Sequence, residues 1–526
     1  MNSSSASPAR RRPWFPGIIC ALGATGWAWC YGQAELERNL KSWIFTAIPL
    51  LVLVLNFLWF LVSPRFSWRA RVGAVLTLAA LAVGGRMLLR VEGTVDGTGL
   101  PNLVWRWRAA AHAGLATAAP TAAPARPATD DPRLAGAADV PQFFGAQRDG
   151  IIRGVGLATD WQAHPPKELW RQPIGAGWSA YAVVGGRAFT QEQRGEEEWV
   201  TCSDLFSGRL LWAHADTARF FQWQGGEGPR ATPTVEGGRV FTYGGTGLLN
   251  CLDAQTGERV WMRSVLAEQK LENLEWGMST SPLVVDERVI VTGGKTPGAV
   301  LFAYHRETGA PLWKTGADMA SYASPIVATL AGRRVILSNN AAALAAYDPA
   351  TGAVLMEYPW GEAKWPKGSQ PVVLPEDRVF VAAGYGMGCR LVKVTAGAGG
   401  KLVATELWRG MRMKTQFNSV TARDGHLYGL DDGRLACVDV ATGERRWKDG
   451  RFGSGQSLLV GEVVLIQSEP GAVFLADARP EGYRELARLP ALSSKTWNFP
   501  TLAGRYLLVR NDREAACYEL PAAPQP

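Results

Sequence analysis

Four stretches of one design decide the fold: CSDLFSGRLLW (residues 202–212), CLDAQTGERVW (251–261), AYHRETGAPLW (303–313) and CVDVATGERRW (437–447). Each sets a small residue, an acid or polar substitute, a Ser-Gly or Thr-Gly turn and a tryptophan at one spacing. The residues before the turn alternate or run apolar, as in LLNCLDA and VLFAYHR, which reads as a buried strand. The glycine supplies the positive φ of a tight turn, and the hydroxyl before it can cap that turn. The pattern recurs eight times between about residues 170 and 517. Strand-bearing repeats of roughly 40–50 residues close into a ring of small sheets. The sequence therefore predicts an all-β, eight-bladed β-propeller over residues 140–521, preceded by N-terminal transmembrane α-helices.

Eight inner-strand starts support the count: WSAYAVV (from Trp178), RATPTVEG (Arg230), STSPLVV (Ser279), YASPIVA (Tyr322), SQPVVLP (Ser369), FNSVTAR (Phe417), GQSLLVG (Gly455) and WNFPTLAG (Trp497). Some copies are degraded. The fourth ends in Met356, the fifth stretches over residues 389–408, and the seventh lacks the turn. KELWRQPI (167–174) carries an outer tryptophan without the three strands that should precede it, whereas the last unit lacks its outer strand. The early strand is predicted to complete the last blade and so remove an exposed edge. The repeated tryptophans are expected to lie between blades, each burying on the order of 150–250 Å².

The first 100 residues differ in kind. Apolar stretches at 14–31, 43–62 and 72–89 read as three membrane helices, the middle one long enough to span a bilayer. Arg86 in the third can snorkel toward the interface. The first reads as a retained helix rather than a cleaved signal peptide, because Trp27 and Trp29 stand where small residues should precede cleavage. Arg10–Arg12 and Arg65, Arg69 and Arg71 place residues 1–13 in the cytoplasm, so three crossings put the propeller outside the inner membrane, in the periplasm or its equivalent. Residues 92–139, rich in Ala and Pro, read as a tether, and 522–526 as a tail.

Cys202, Cys251, Cys437 and Cys517 share one slot of the repeat, and Cys389 is expected there too. Equivalent slots in different blades lie too far apart for disulfide geometry, so these read as small buried hydrophobes. Five histidines and no CxxC spacing argue against a zinc site. A net charge of +8 over 526 residues, without basic runs interleaved with aromatics, gives no nucleic-acid track. Inner-strand starts should rim one mouth of the central channel. Arg230, Trp276, Asn418, Gln456, Trp497 and Asn498 are the candidate ligand-binding residues there, with Glu275 as the one candidate cation ligand beside Asn418 or Asn498.

At 251–261 and 437–447 the chain resembles the pyrroloquinoline quinone (PQQ) repeat superfamily, whose tryptophan-docking signature is AxDxxTGxxxW. The resemblance covers about residues 140–520. It implies a quinoprotein-like propeller and two functional models: alcohol or sugar dehydrogenases that use PQQ and calcium, and a non-catalytic, BamB-like scaffold of outer-membrane protein assembly. FFGAQRDG (143–150), GPRATPTV (228–235) and KTWNFP (495–500) resemble membrane-anchored proteins of the same superfamily. The dehydrogenase model implies stacking aromatics, calcium ligands, a catalytic Asp and often two adjacent cysteines; this sequence has no adjacent cysteines, no long pocket-building insertions and no CxxCH haem site. The favoured expectation is a non-enzymatic, membrane-tethered propeller with no cofactor, which binds an envelope protein or peptide on its funnel face. The alternative is a PQQ- and calcium-dependent dehydrogenase passing electrons to the membrane quinone pool.

Overall fold

The computed structural model describes residues 14–33, 36–108, 115, 133, 138–298 and 300–523. The chain forms two compact units, Met1–Arg108 and Ala109–Pro526.

The first unit holds three helices, α1 (Trp14–Gly32), α2 (Arg38–Val62) and α3 (Trp68–Leu88). Ser67 caps α3, its hydroxyl accepting from the Ala70 N–H at 3.3 Å. α1 lies against α2 where Gly23 leaves room for the Val52 side chain, with Trp27 and Phe45 ring centroids 4.8 Å apart. Two helices among the described residues are long and apolar enough to cross a membrane, α2 and α3. α1, the first of the three expected spans, is helical but is not one of these. The expected tether does not begin at residue 92: Leu89–Thr94 and Pro101–Trp105 pair as a hairpin. Its β-branched and aromatic residues favour strand pairing. Most of the Ala/Pro-rich stretch beyond it lies outside the described residues.

The second unit is an eight-bladed propeller. Blades 1 to 6 occupy residues 182–217, 234–264, 283–315, 326–359, 372–410 and 421–449. Blade 7 spans 456–489, and blade 8 combines 501–519 with the early strand Lys167–Pro173. That strand pairs antiparallel with Glu514–Glu519, with Trp170 opposite Cys517, so the predicted closure is present. A second seam was not foreseen. Ile151–Ile152 adds to the inner edge of blade 7, pairing parallel with Leu459 and Val460. The expected tail is also partly engaged, since Ala522 pairs with Leu157.

All eight blades repeat one irregularity. The pairing of the third and outer strands slips by one residue immediately before the tryptophan position. In blade 2, Cys251 faces Trp261 and Leu252 faces Arg259, leaving Val260 unopposed. Such a bulge re-aims the side chains of its strand. The indole then lies on the turn glycine of the next blade: Trp170 on Gly208, Trp212 on Gly257, Trp261 on Gly309, Trp313 on Gly352 and Trp408 on Gly443. Most of these ring N–H groups donate to a carbonyl of that same turn, as Trp170 does to Leu205 at 2.8 Å and Trp261 to Arg306 at 2.8 Å.

The cysteine slot needs one correction. Cys202, Cys251, Cys437 and Cys517 face the outer tryptophan of their hairpins, but Leu391, not Cys389, faces Trp408. The fifth hairpin has nine-residue strands, Gly388–Ala396 and Leu402–Gly410, so Cys389 falls opposite Gly410. All seven cysteines are free. Burial pushes the Cys251 thiol up to about 12 and the Cys437 thiol up to about 11, which suppresses the reactive thiolate.

Candidate functional site

The axial channel is closed from one face. Val140 bridges Val183, and the Asp139 carboxylate accepts from Gly185 on the inner hairpin turn of blade 1. The chain then crosses the inner strands. Pro141 accepts from Val235, Phe143 packs edge-on against Phe499 at 4.8 Å, and Gly150 accepts from Leu459. Arg148 lies at the middle of this crossing and is only 3% exposed. Its guanidinium donates to the carbonyls of Pro325 (2.7 Å), Ser281 (3.3 Å) and Pro282 and to the Thr234 hydroxyl (3.3 Å). One side chain thus fastens the segment to blades 2, 3 and 4. Burial without a carboxylate partner pushes Arg148 down to about 9. Residues 140–152 are therefore a plug, and they contain the FFGAQRDG stretch.

A belt of hydrogen bonds above the plug joins every inner strand to its neighbour. Thr232 accepts from Ala180 N–H (3.2 Å), Ser281 from Thr232 N–H (2.9 Å) and Ser324 from Ser281 N–H (2.9 Å). Gln370 donates its amide to the Ser324 carbonyl (3.2 Å) and its backbone N–H to Ser419 (3.2 Å). Gln456 donates to the carbonyls of Phe417 (3.3 Å) and Trp497 (2.9 Å). Asn498 closes the circle on blade 1, donating to Ser179 (2.8 Å) and Gly177 (3.3 Å) carbonyls. Small hydroxyls and amides recur at these starts because the inner strands converge there, and each must satisfy a neighbour's backbone group.

The candidate residues therefore separate into two sets. Gln456 and Asn498 belong to the belt, and Asn418 is tied within blade 6, donating to Leu430 (3.0 Å) and accepting from Gln416 (3.2 Å). Arg230, Trp276 and Trp497 stand just before inner strands, at the end opposite the hairpin turn that Asp139 touches, and Arg230 and Trp276 both approach Gly225. Arg230 lies over the Phe220 ring at 4.5 Å and donates to the Gly226 carbonyl at 2.9 Å. Burial pushes it down to about 10, with the Glu198 carboxylate opposing. Trp276 packs on Tyr322 at 5.5 Å. Trp497 packs on Trp178 (4.8 Å) and Phe417 (5.2 Å), with the Lys495 ammonium 4.3 Å above it. Trp178 donates its ring N–H to Gly225 (2.5 Å), the tip of a short hairpin whose Phe221 and Trp223 are exposed.

In the sequence Trp178 and Phe417 stand out only as strand starts, and Lys495 only as part of KTWNFP. Nothing in their spacing distinguishes a mouth-lining aromatic from a packing one. Arg148 was missed as well. Its one sequence signal was that FFGAQRDG lies outside the repeat pattern.

Of the residues offered for a cation, Asn418 and Asn498 each donate their amide to backbone carbonyls. Glu275 is exposed. Among the described residues no cluster of three or more His, Cys, Asp or Glu side chains is placed to hold a metal ion.

Residues 196–449 match the family described as "Outer membrane protein assembly factor BamB". No curated protein matches the chain. Among solved structures, BamB from Moraxella catarrhalis superimposes with a TM-score of 0.50 at 14% identity, covering 69% of this chain and 99% of that one. The quinohemoprotein alcohol dehydrogenase from Comamonas testosteroni gives 0.52 at 13% identity, covering 74% and 81%. At such identities the likeness is one of fold. The repeated hairpin and the eight blades make this a β-propeller, and its residues 196–449 are similar to the BamB family.

Proposed function

We propose that this chain is a membrane-tethered, extracytoplasmic propeller that acts as a non-catalytic binding or scaffold module of the cell envelope, taking a protein or peptide partner at its open mouth. One observation carries the reading: the channel is plugged from one face and belted by its own polar side chains, leaving an aromatic mouth on the other. Amides committed to neighbouring backbone have no free geometry for positioning a substrate, whereas half-exposed aromatics supply area for recognition. The match to a family named for outer-membrane protein assembly supports a protein partner. The apolar helices α2 and α3 support a membrane tether, and the loop arginines support an outside propeller.

The test is affinity capture of the full chain from cross-linked, detergent-solubilised membranes, beside mass spectrometry for PQQ and a dye-reduction assay with alcohols and sugars. Recovery of a defined envelope protein, without dye reduction after addition of PQQ and calcium, is the expected result. Quinone-dependent turnover without a partner would overturn the reading in favour of the dehydrogenase alternative.

A further inference from the structure

Three aromatic side chains are exposed among the described residues of the propeller: Phe221 (53%), Trp223 (44%) and Trp365 (40%). All three, with the exposed Met411, lie in connections from the outer strand of one blade to the inner strand of the next. In four-stranded antiparallel blades these connections share one face of the ring, opposite the hairpin turn that Asp139 touches. The other exposed large apolar side chains of the propeller, such as Val260, Leu312 and Leu407, are non-aromatic and sit on strands. Both aromatic projections are held from behind. Phe220 anchors the hairpin of residues 221–227, its ring against Gly277 and under the Arg230 guanidinium at 4.5 Å. Arg230 donates to the Gly226 carbonyl at 2.9 Å, and the Gln222 side chain accepts from the N–H groups of Gln224 (2.7 Å) and Gly225 (2.6 Å). Trp365 stacks on Tyr385, with centroids 5.5 Å apart and planes within 5°. A cation stands beside each projection, Arg219 5.9 Å from the Phe221 centroid and Lys364 5.6 Å from that of Trp365. Glu227 and Glu362 pair with these cations at 2.8 Å, so aromatic area rather than net charge dominates each projection.

We infer that this face docks on a lipid bilayer: Phe221, Trp223 and Trp365 enter the headgroup region of the membrane that α2 and α3 span. Aromatic rings with Lys or Arg beside them favour the boundary between hydrocarbon and water, because an apolar body and a polar tip are satisfied there together. The two projections stand three blades apart, between blades 1 and 2 and between blades 4 and 5. That spacing suits an extended planar surface better than a single peptide side chain. The bilayer is also within constant reach. Residues 109–138, 30 in number, join the helical unit to the propeller, and fully extended they span at most about 100 Å. Such a length lets either face of the ring meet the bilayer, and the exposed aromatics select this one. The inference rests on the membrane-tether part of the proposed function and not on the identity of a partner.

The experiment places the full chain, carrying Cys20→Ser to remove the exposed native thiol, in phosphatidylcholine nanodiscs. A fluorescent label is put on Ala363→Cys, beside Trp365, or on Gln255→Cys in an exposed turn of the opposite face, and doxyl-labelled phosphatidylcholine is the quencher. The Ala363→Cys label should be quenched strongly and the Gln255→Cys label little. High salt should leave this contrast unchanged, since aromatic area and not charge makes the contact. Adding Phe221→Ser, Trp223→Ser and Trp365→Ser should bring the quenching at Ala363→Cys down to the Gln255→Cys level, with an unchanged melting profile as the folding check. If that variant does not fold, the contrast between the two labels decides. Equal quenching at the two labels, or no fall in the folded triple variant, overturns the docking surface. A face that stays unquenched but cross-links to a protein from Ala363→Cys in native membranes is a protein surface, which also overturns it. Alkaline carbonate washing of native membranes tests the tether separately. A chain that washes off removes the tether reading, whereas a retained chain with an unquenched face loses only this inference.

Discussion

Trp212 shows what one residue of the repeat contributes. Its indole is 5% exposed, rests on Gly257 and donates to the Ala254 carbonyl at 3.1 Å. Trp212→Ala should destabilise the propeller by about 3–5 kcal/mol, the usual cost of emptying a buried aromatic site, read as a fall in melting temperature. Gly257→Ala should also be costly. Its φ of 74° lies in the left-handed region, and a Cβ there would run into the Trp212 ring. Glu198 carries a pH dependence. Burial pushes its carboxyl up to about 7 from an ordinary 4.5, although the Gly245 N–H and Arg230 favour the charged form. The folded state then holds more protons than the unfolded one between those values, so stability is full below about 4.5 and falls as pH rises through about 7. Glu198→Gln should remove that loss and melt higher than the parent at pH 8, by the equivalent of roughly 2–3 kcal/mol. Equal pH profiles for the two proteins would refute this.

Two elements close the ring, and each makes a prediction. Lys167–Pro173 supplies the outer strand of blade 8, so deleting residues 167–174 should lower the melting temperature sharply. A deletion variant that melts like the parent would show the closure to be dispensable. The plug acts through Arg148, which satisfies carbonyls from two blades and a hydroxyl from a third. Arg148→Met leaves these acceptors buried without donors, at about 1–3 kcal/mol for each one that water does not reach. The expected outcome is faster hydrogen exchange across residues 140–152, with the outer strands little changed. The bulge before each tryptophan explains why blade 7 persists without the residue: Ala487 occupies the slot and the slip before it remains. Repeat geometry survives in the backbone after the side chain that announces it is gone.

At the scale of the molecule, loop arginines and the apolar helices predict the direction of the chain. Alkaline phosphatase fused after Pro526 should be active in intact cells, and a green fluorescent protein fused there by the general secretion route should stay dark. The reverse pattern would place the propeller in the cytoplasm. The mouth is likewise a property of the whole ring. Arg230, Trp276 and Trp497 come from separate blades and are linked through Gly225 and Trp178. Candidates chosen for polarity at strand starts therefore divided. Asn418, Gln456 and Asn498 hold backbone, while the aromatics beside them line the opening.

The sequence alone determined the blade count, the turn glycines, the outer tryptophans and the closing strand, because each rests on local spacing that the hairpin geometry enforces. Only the tertiary structure decided what fills the axis. The plug, the eight-membered belt and the Trp178–Phe417–Trp497 cluster join residues tens to hundreds of positions apart, and such meetings depend on ring closure, which no local pattern records.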